Sequence, residues 1–273
     1  MCEPAARHFE HTCHTRVHVN SRMIFRRLAL GRQAQIIDAL AAFVLLIILL
    51  AARLNAACTD WDRNAASRKD GYWPFISKKQ EPPQALTYGE YPLPFFLELI
   101  EKASDYAGLN GDYSQASMAD LGSGTGRLVL WAAVNQRWKS CLGVELLPDL
   151  HRIASEQLAA AQAHECVHAD FIRADEVAFE NASWDDAALG HLDVVFGYTT
   201  CLQDMVRNDD GVLLELTESL NRRLRRGCIV VTTEYRLGDG FRLIESIDGQ
   251  NAFIGGVSTG HIHEKMSPGE WES

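Results

Sequence analysis

Asp120-Leu-Gly-Ser-Gly-Thr-Gly126 places three glycines at alternate positions behind an acidic residue. Ser117–Ala119, just before this stretch, suits the end of a buried strand, and Arg127–Ala133, just after it, has the pattern of an amphipathic helix. Because glycine has no β-carbon, the turn between them can bend sharply and admit a ligand close to the backbone. A strand, a glycine turn and a helix in this order predict the first unit of a nucleotide-type α/β fold.

The residues around the turn discriminate between the ligands of such folds. A dinucleotide fingerprint requires glycine or alanine at position 127, where this chain has Arg127, and the Gly-Lys-Ser/Thr of a phosphate-binding loop is missing. An acid followed by three alternate glycines resembles the first motif of class I S-adenosylmethionine (SAM) methyltransferases, whose cofactor has no phosphate. An ordinary tight strand–helix turn is the alternative. The resemblance implies SAM contacts from Asp120, Gly122, Ser123, Gly124 and Gly126.

Two more acidic residues follow predicted strands. Glu145 ends the apolar stretch that begins at Cys141, and a carboxylate there can accept both ribose hydroxyls of a nucleoside. Asp170 and Phe171 end a predicted third strand at 166–170, where an acid can bond the adenine amine and an aromatic ring can pack on the base. Since ligands of open α/β sheets bind at the carboxyl ends of the strands, the three motifs predict one SAM site.

The remaining globular part alternates between helical and extended patterns. This alternation predicts an α/β, Rossmann-like sheet with helices on both faces. We expect a methyltransferase domain at 87–273, preceded by a proline-containing linker at 54–86. Further helices are predicted from Pro92 to near Gly108, at 148–163 and at 212–226, strands at 192–198 and 227–233, an acidic connection at 175–190, and a closing hairpin at 241–265.

The N-terminal region carries a different signal. Residues 33–52 contain a single charge, Asp38, and this length just spans a bilayer. We therefore predict a transmembrane or signal-anchor helix at 33–53, behind a basic, histidine-rich tail at 1–32. The expected location is a single-pass position in an organellar or endomembrane bilayer. A cleaved targeting segment or a buried helix is the alternative, with a nuclear location if the segment is not an anchor.

Charge and cysteine usage narrow the partners. The chain has net charge −10: residues 1–55 hold seven Arg and three acids, and the rest holds 19 basic and 33 acidic residues. An acidic globular part argues against direct nucleic-acid binding, but it would tolerate a basic protein substrate. The seven cysteines form no Cys-x-x-Cys pair, so we expect small buried thiols rather than disulfides.

Several stretches together resemble the disruptor-of-telomeric-silencing family of non-SET histone lysine methyltransferases. Besides the glycine turn, they are Gly143-Val-Glu145, Asp170-Phe171 and Tyr88-Gly-Glu90, the last being similar to the family's cofactor-covering loop. The resemblance covers roughly residues 87–265. It implies SAM-dependent methylation of a protein lysine, with Glu90 among the cofactor ligands.

The chain departs from this family after the fourth predicted strand. The family has two asparagines and an aromatic residue there, and this chain has Tyr198, Thr199 and Thr200. From the resemblance we expect Tyr88, Tyr198 and Thr199 to border the reacting methyl group. Methyl transfer is an in-line displacement that needs position more than a strong base.

Three alternatives stay open. One is a SAM-binding module without catalysis, and another is a membrane-anchored methyltransferase of lipids or small molecules. The third arises from His164-Glu-Cys-Val-His168, which matches the zinc-peptidase pattern with Glu165 as the base. Because this match crosses a predicted helix-to-strand junction and has no clear third ligand, no metal site is predicted.

Overall fold

A mixed seven-stranded sheet organises the chain, which is described here by a computed structural model covering residues 60–165, 172–207 and 210–267. Its order is β3-β2-β1-β4-β5-β7-β6; neighbours among the first five strands pair in parallel, and β7 is antiparallel to both β5 and β6. The strands are β1 (Ser117–Leu121), β2 (Ser140–Glu145), β3 (Glu176–Asn181), β4 (Val194–Gly197), β5 (Ile229–Thr233), β6 (Phe241–Asn251) and β7 (Gly256–Lys265).

Helices cover both faces of this sheet. They are α1 (Asp60–Gly71), α2 (Trp73–Ile76), α3 (Leu93–Tyr106), α4 (Arg127–Asn135), α5 (Pro148–Glu165) and α6 (Leu214–Arg223). Single 3₁₀ turns lie at Gln84–Leu86 and Thr200–Met205, and Val206–Arg207 pairs with Val212–Leu213 in a short antiparallel ribbon. The α/β prediction is confirmed for the described residues.

Alternation along the strands divides the core into two layers. In β1, Met118 packs with α3 and α4 on one face, whereas Ala119 and Leu121 pack with α6 on the other. Successive side chains of a strand point to opposite faces, so a strand covered on both sides must be apolar throughout. Ser117 and Asp120 are the polar residues of this fully buried strand, and Asp120 is its one ionisable group.

The predicted linker at 54–86 requires correction. Much of it is helical, and Arg63, Ala66 and Ser67 of α1 are buried. Asp70 of α1 accepts a hydrogen bond from the backbone N–H of Asp149 at 2.8 Å, at the start of α5. This segment therefore packs on the methyltransferase-like domain, which begins upstream of residue 87.

The third strand also differs from its predicted place. The strand that pairs with β2 is β3, inside the stretch predicted as an acidic connection. The predicted strand at 166–170 lies outside the described residues. The strand end that adjoins Glu145 is therefore Asn181, whose side chain donates a hydrogen bond of 2.8 Å to the Glu145 carbonyl.

The predicted membrane location is also corrected. The predicted anchor at 33–53 lies outside the described residues, so the apolar N-terminal helix is not confirmed. Within the described parts of the chain, no helix has the length and apolar character needed to cross a bilayer. This finding contradicts the predicted single-pass membrane location.

Candidate active site

The glycine turn is built around three left-handed residues. Gly122, Gly124 and Gly126 have φ of +78°, +55° and +77°, in a backbone region that residues other than glycine rarely adopt. The N–H groups of Gly122 and Ser123 both donate to the carbonyl of Val144, at 2.8 and 3.0 Å. These bonds fasten the turn to β2 and direct it towards the carboxyl edge of the sheet.

Glu145, the last residue of β2, closes this edge. Its carboxylate accepts hydrogen bonds from the backbone N–H of Gly124 at 2.7 Å and of Leu147 at 2.8 Å. Burial raises the pKa of Glu145, while those N–H groups oppose the rise. Each carboxylate oxygen keeps lone-pair capacity for a further donor, as a ribose hydroxyl would supply.

Asp120 lies beneath the turn with an unsatisfied carboxyl group. The residue is 2% exposed, and its Oδ1 atom has no hydrogen-bond partner among the described residues. Burial, followed by the neighbouring charge of Glu145, raises the pKa of Asp120 to about 8. A buried polar atom without a partner is costly, so this oxygen is a candidate contact for a ligand that brings a donor or a positive charge.

The loop that contains Tyr88 covers the turn. A β-carbon placed on Gly124 would lie 2.6 Å from Cε2 of Tyr88, so only glycine lets the ring pack there. The Tyr88 hydroxyl donates to Glu90 and lies 3.3 Å from Oγ1 of Thr125. Burial and the Glu90 charge raise the pKa of Tyr88, which makes it a neutral wall rather than a base.

Glu90 is held by two arginines from different elements. Its carboxylate pairs with Arg127, the first residue of α4, and with Arg63 of α1 at 3.3 Å. The covering loop is thereby fastened to both helices. Glu90 lies at the turn as expected, but these contacts engage its oxygens with protein partners. The contribution of Arg63 was missed because its segment was assigned to a linker.

A cavity of about 650 Å³ opens between the covering loop and the carboxyl ends of the strands. This volume is within the ordinary range for a small-molecule site. Leu121 and Glu145 line it from the ends of the first two strands, Gly122 lines it from the glycine turn, and apolar side chains form most of the remainder. The lining residues that the sequence prediction missed come from the 3₁₀ turn at 84–86, the end of β3 and the segment after β4: Ala85, Leu86, Ala182, Ser183, Trp184, Thr200, Cys201 and Leu202.

The residues predicted to border the reacting methyl group lie beside this cavity. Tyr198 lines it, and a β-carbon on Gly89 would lie 3.1 Å from Cε1 of Tyr198. Thr199 is 2% exposed; its hydroxyl donates to the carbonyl of Thr233 and accepts from the Thr233 N–H at 3.1 Å. These bonds engage the Thr199 hydroxyl with β5, so its part is to fix the chain after β4.

The structure therefore brings together most of the predicted site residues. Tyr88, Glu90, Asp120, the glycine turn and Glu145 lie around one edge of the sheet, with Tyr198 and Thr199. Asp170 and Phe171 lie outside the described residues, so their adenine contact stays a prediction. The end of β3, at Ala182–Trp184, contributes to the cavity at the position expected of a third strand.

The zinc-peptidase pattern falls at the edge of what the structure describes. His164 and Glu165 are the last two residues of α5, while Cys166 to His168 lie outside the described residues. Across 60–165, 172–207 and 210–267, no cluster of three or more potential ligands could hold a metal ion.

Residues 78–253 match the family described as histone methylation protein DOT1. The match covers well over half of the chain and contains the glycine turn, Glu145 and the segment after β4. No curated protein matches the chain.

Two solved structures illustrate the fold similarity. The chain is 22% identical to an RNA methyltransferase from Salinibacter ruber in complex with S-adenosyl-L-homocysteine, over 68% of this chain and 100% of that chain, with a TM-score of 0.46. It is 13% identical to the rRNA methyltransferase aviRa from Streptomyces viridochromogenes, over 65% of this chain and 86% of that chain, with a TM-score of 0.48.

Proposed function

Because the chain belongs to the DOT1 family of histone methylation proteins and is a SAM-dependent methyltransferase, we propose that its methyl acceptor is a lysine side chain of a basic protein. The observation that carries this proposal is the family match across the cavity and its walls. The acidic charge of the residues after position 55 supports it, since a histone is a strongly basic partner.

The residues of the cavity fit SAM. Glu145 would accept the ribose hydroxyls, and the end of β3 would border the adenine. Asp120, whose Oδ1 atom has no partner among the described residues, would face the ammonium group of the amino-acid part. When bound, SAM supplies a methyl group on a positively charged sulfur. A buried carboxyl that lacks a partner suits a cationic ligand, because the ligand restores the interaction that burial removed.

The residues that line the cavity would favour the reactive, neutral form of the acceptor lysine. An amine reacts through its lone pair, so a lysine must lose its proton before its nitrogen attacks the methyl carbon. The attack is in line with the bond to sulfur that breaks, from a nitrogen–carbon distance of about 3 Å. Apolar surroundings disfavour the ammonium form and lower the pKa of a lysine. Tyr88 and Tyr198 would line the cavity beside the methyl group, where they would orient the lysine side chain and exclude water. Thr199 would hold the segment after β4 in place.

The acceptor class can be tested directly. The full chain is incubated with SAM and a mixture of core histones, and methylated residues are located by mass spectrometry. We expect methyl groups on lysine and none with the Gly124→Arg variant, in which a β-carbon would meet Tyr88. Methyl transfer only to another residue type, or only to lipids or small molecules in a parallel assay, would contradict the lysine proposal.

The ribose contact gives a separate prediction. Glu145→Gln is expected to weaken S-adenosylhomocysteine binding by about tenfold or more, because the amide NH₂ cannot accept the bonds that both carboxylate oxygens now accept. Isothermal titration of the full chain measures this change. Glu180→Gln, an exposed glutamate of β3, is the matched control and should bind normally. Equal affinity in the two variants would remove Glu145 from the ribose site.

A further inference from the structure

Glu234 follows β5 directly in a strained conformation. Its φ is +64°, in the left-handed region that costs a non-glycine residue about 1 kcal/mol or more. The backbone N–H of Glu234 donates to the carbonyl of Thr259 at 2.8 Å, which ties the residue to β7. The turn therefore fixes where this carboxylate lies, at the same edge of the sheet as the cavity.

The surroundings of Glu234 lead back to the acceptor end of the cavity. Ser258, which is fully buried, donates its hydroxyl to the Glu234 carboxylate. Tyr91 lies close enough for the Glu234 charge to add to the rise in its pKa that burial causes first. The ring of Tyr91 packs on the cavity residue Tyr198, with centroids 4.9 Å apart.

The backbone makes the same connection. Thr233, the neighbour of Glu234, is hydrogen bonded in both directions to Thr199, a cavity residue. Within the part of the chain that the structure describes, Glu234 forms no ion pair. His261 lies close to Glu234, but burial lowers its pKa and so favours the neutral imidazole. A half-buried carboxylate that forms no ion pair among the described residues, beside a tyrosine pair, can bind an alkylammonium group.

We propose that Glu234 binds the cationic side chain of the methyl acceptor, beside Tyr91 and Tyr198. This inference rests on the proposed lysine acceptor. Glu234 would draw the ammonium group towards the cavity, and the apolar interior beyond Tyr198 would then favour its neutral form. The residue would determine specificity through substrate binding and would make no contact with SAM.

Glu234→Gln separates this role from a structural one. Glutamine keeps an oxygen that accepts the Ser258 bond, so a purely structural Glu234 would lose little. For the binding role, we expect the KM for core histones to rise about tenfold, with kcat within about twofold and unchanged S-adenosylhomocysteine affinity. Added salt should raise the KM of the unsubstituted enzyme more than that of the variant, because salt screens the pair between Glu234 and the substrate ammonium group, which the variant cannot form.

Glu218→Gln, an exposed position on α6, removes the same charge elsewhere and should leave KM unchanged. Glu234→Asn is the second variant, since asparagine tolerates the left-handed backbone and guards against misfolding. If the unsubstituted enzyme methylates lysine and both Glu234 variants keep its KM, the role of Glu234 is overturned and the acceptor class stands. If the unsubstituted enzyme methylates no lysine, the proposed acceptor is overturned, and this role of Glu234 with it.

Discussion

Gly126→Ala is expected to lower the free energy of unfolding by about 3 kcal/mol, since left-handed strain and overpacking act together at this position. The backbone φ is +77°, and the new β-carbon would lie 2.4 Å from Cζ of Phe179 and 2.9 Å from Cβ of Ala154. Phe179 is half-buried against the core, and the β-carbon of Ala154, a buried residue of α5, cannot rotate away. Relief therefore requires movement of the turn that begins α4, and we expect S-adenosylhomocysteine affinity to fall as well.

Gly108→Ala is a control with almost the same backbone. Its φ is +76°, but no atom of the described residues lies within 4 Å of the added β-carbon, so only the strain of about 1 kcal/mol should appear. Urea unfolding of both full-length variants measures the difference. Equal losses would mean that Phe179 and Ala154 yield freely, and that the close packing behind the glycine turn has no energetic consequence.

The sequence predicted the centre of the sheet better than its margins. β1, β2 and β4 are largely buried strands rich in apolar residues, and their ends were predicted to within a few residues. β3 is an edge strand with exposed and half-buried side chains, so hydrophobic periodicity gave little signal. Its acidic composition is typical of a connection between elements.

The other omission, α1, has a similar cause. This helix is polar, and its position depends on individual contacts such as Arg63 with Glu90 and Asp70 with the start of α5. Pairs of residues far apart in the chain leave no local pattern. The glycine turn could be predicted because its three left-handed residues must be close together in sequence, whereas Glu234 could be found only from the backbone it adopts.

Asp120→Asn is expected to stabilise the ligand-free protein and weaken cofactor binding at the same time. The folded-state pKa of Asp120 is raised to about 8 by burial and by Glu145, above its ordinary value of 3.8. The folded protein therefore holds a proton that the unfolded chain releases between these values. The contribution of Asp120 protonation to the free energy of unfolding is complete below pH 3.8 and is lost as the pH rises towards 8. About 4 kcal/mol of this contribution is lost by neutral pH. Asparagine has nearly the same shape and no such dependence.

Urea unfolding between about pH 6 and about pH 8 tests the sign. The stability advantage of Asp120→Asn over the unsubstituted protein should grow by about 1.4 kcal/mol per pH unit and level off above the folded-state pKa. Asp239→Asn, an exposed aspartate, should show no such growth. Parallel pH profiles for Asp120→Asn and the unsubstituted protein would mean that Asp120 ionises in the fold as it does in water.

The second part of this prediction, weaker cofactor binding, tests which part of the cofactor contacts Asp120. S-adenosylhomocysteine carries a charged amino-acid part that methylthioadenosine lacks, and both present the same nucleoside. If Asp120 faces the amino-acid part, Asp120→Asn should weaken S-adenosylhomocysteine by about tenfold or more and leave methylthioadenosine affinity nearly unchanged. Equal losses for both ligands would instead place its effect at the nucleoside end, through Glu145. The unsatisfied oxygen of Asp120 then has a physical reason: the carboxyl that destabilises the empty fold is the group that a cationic ligand stabilises on binding.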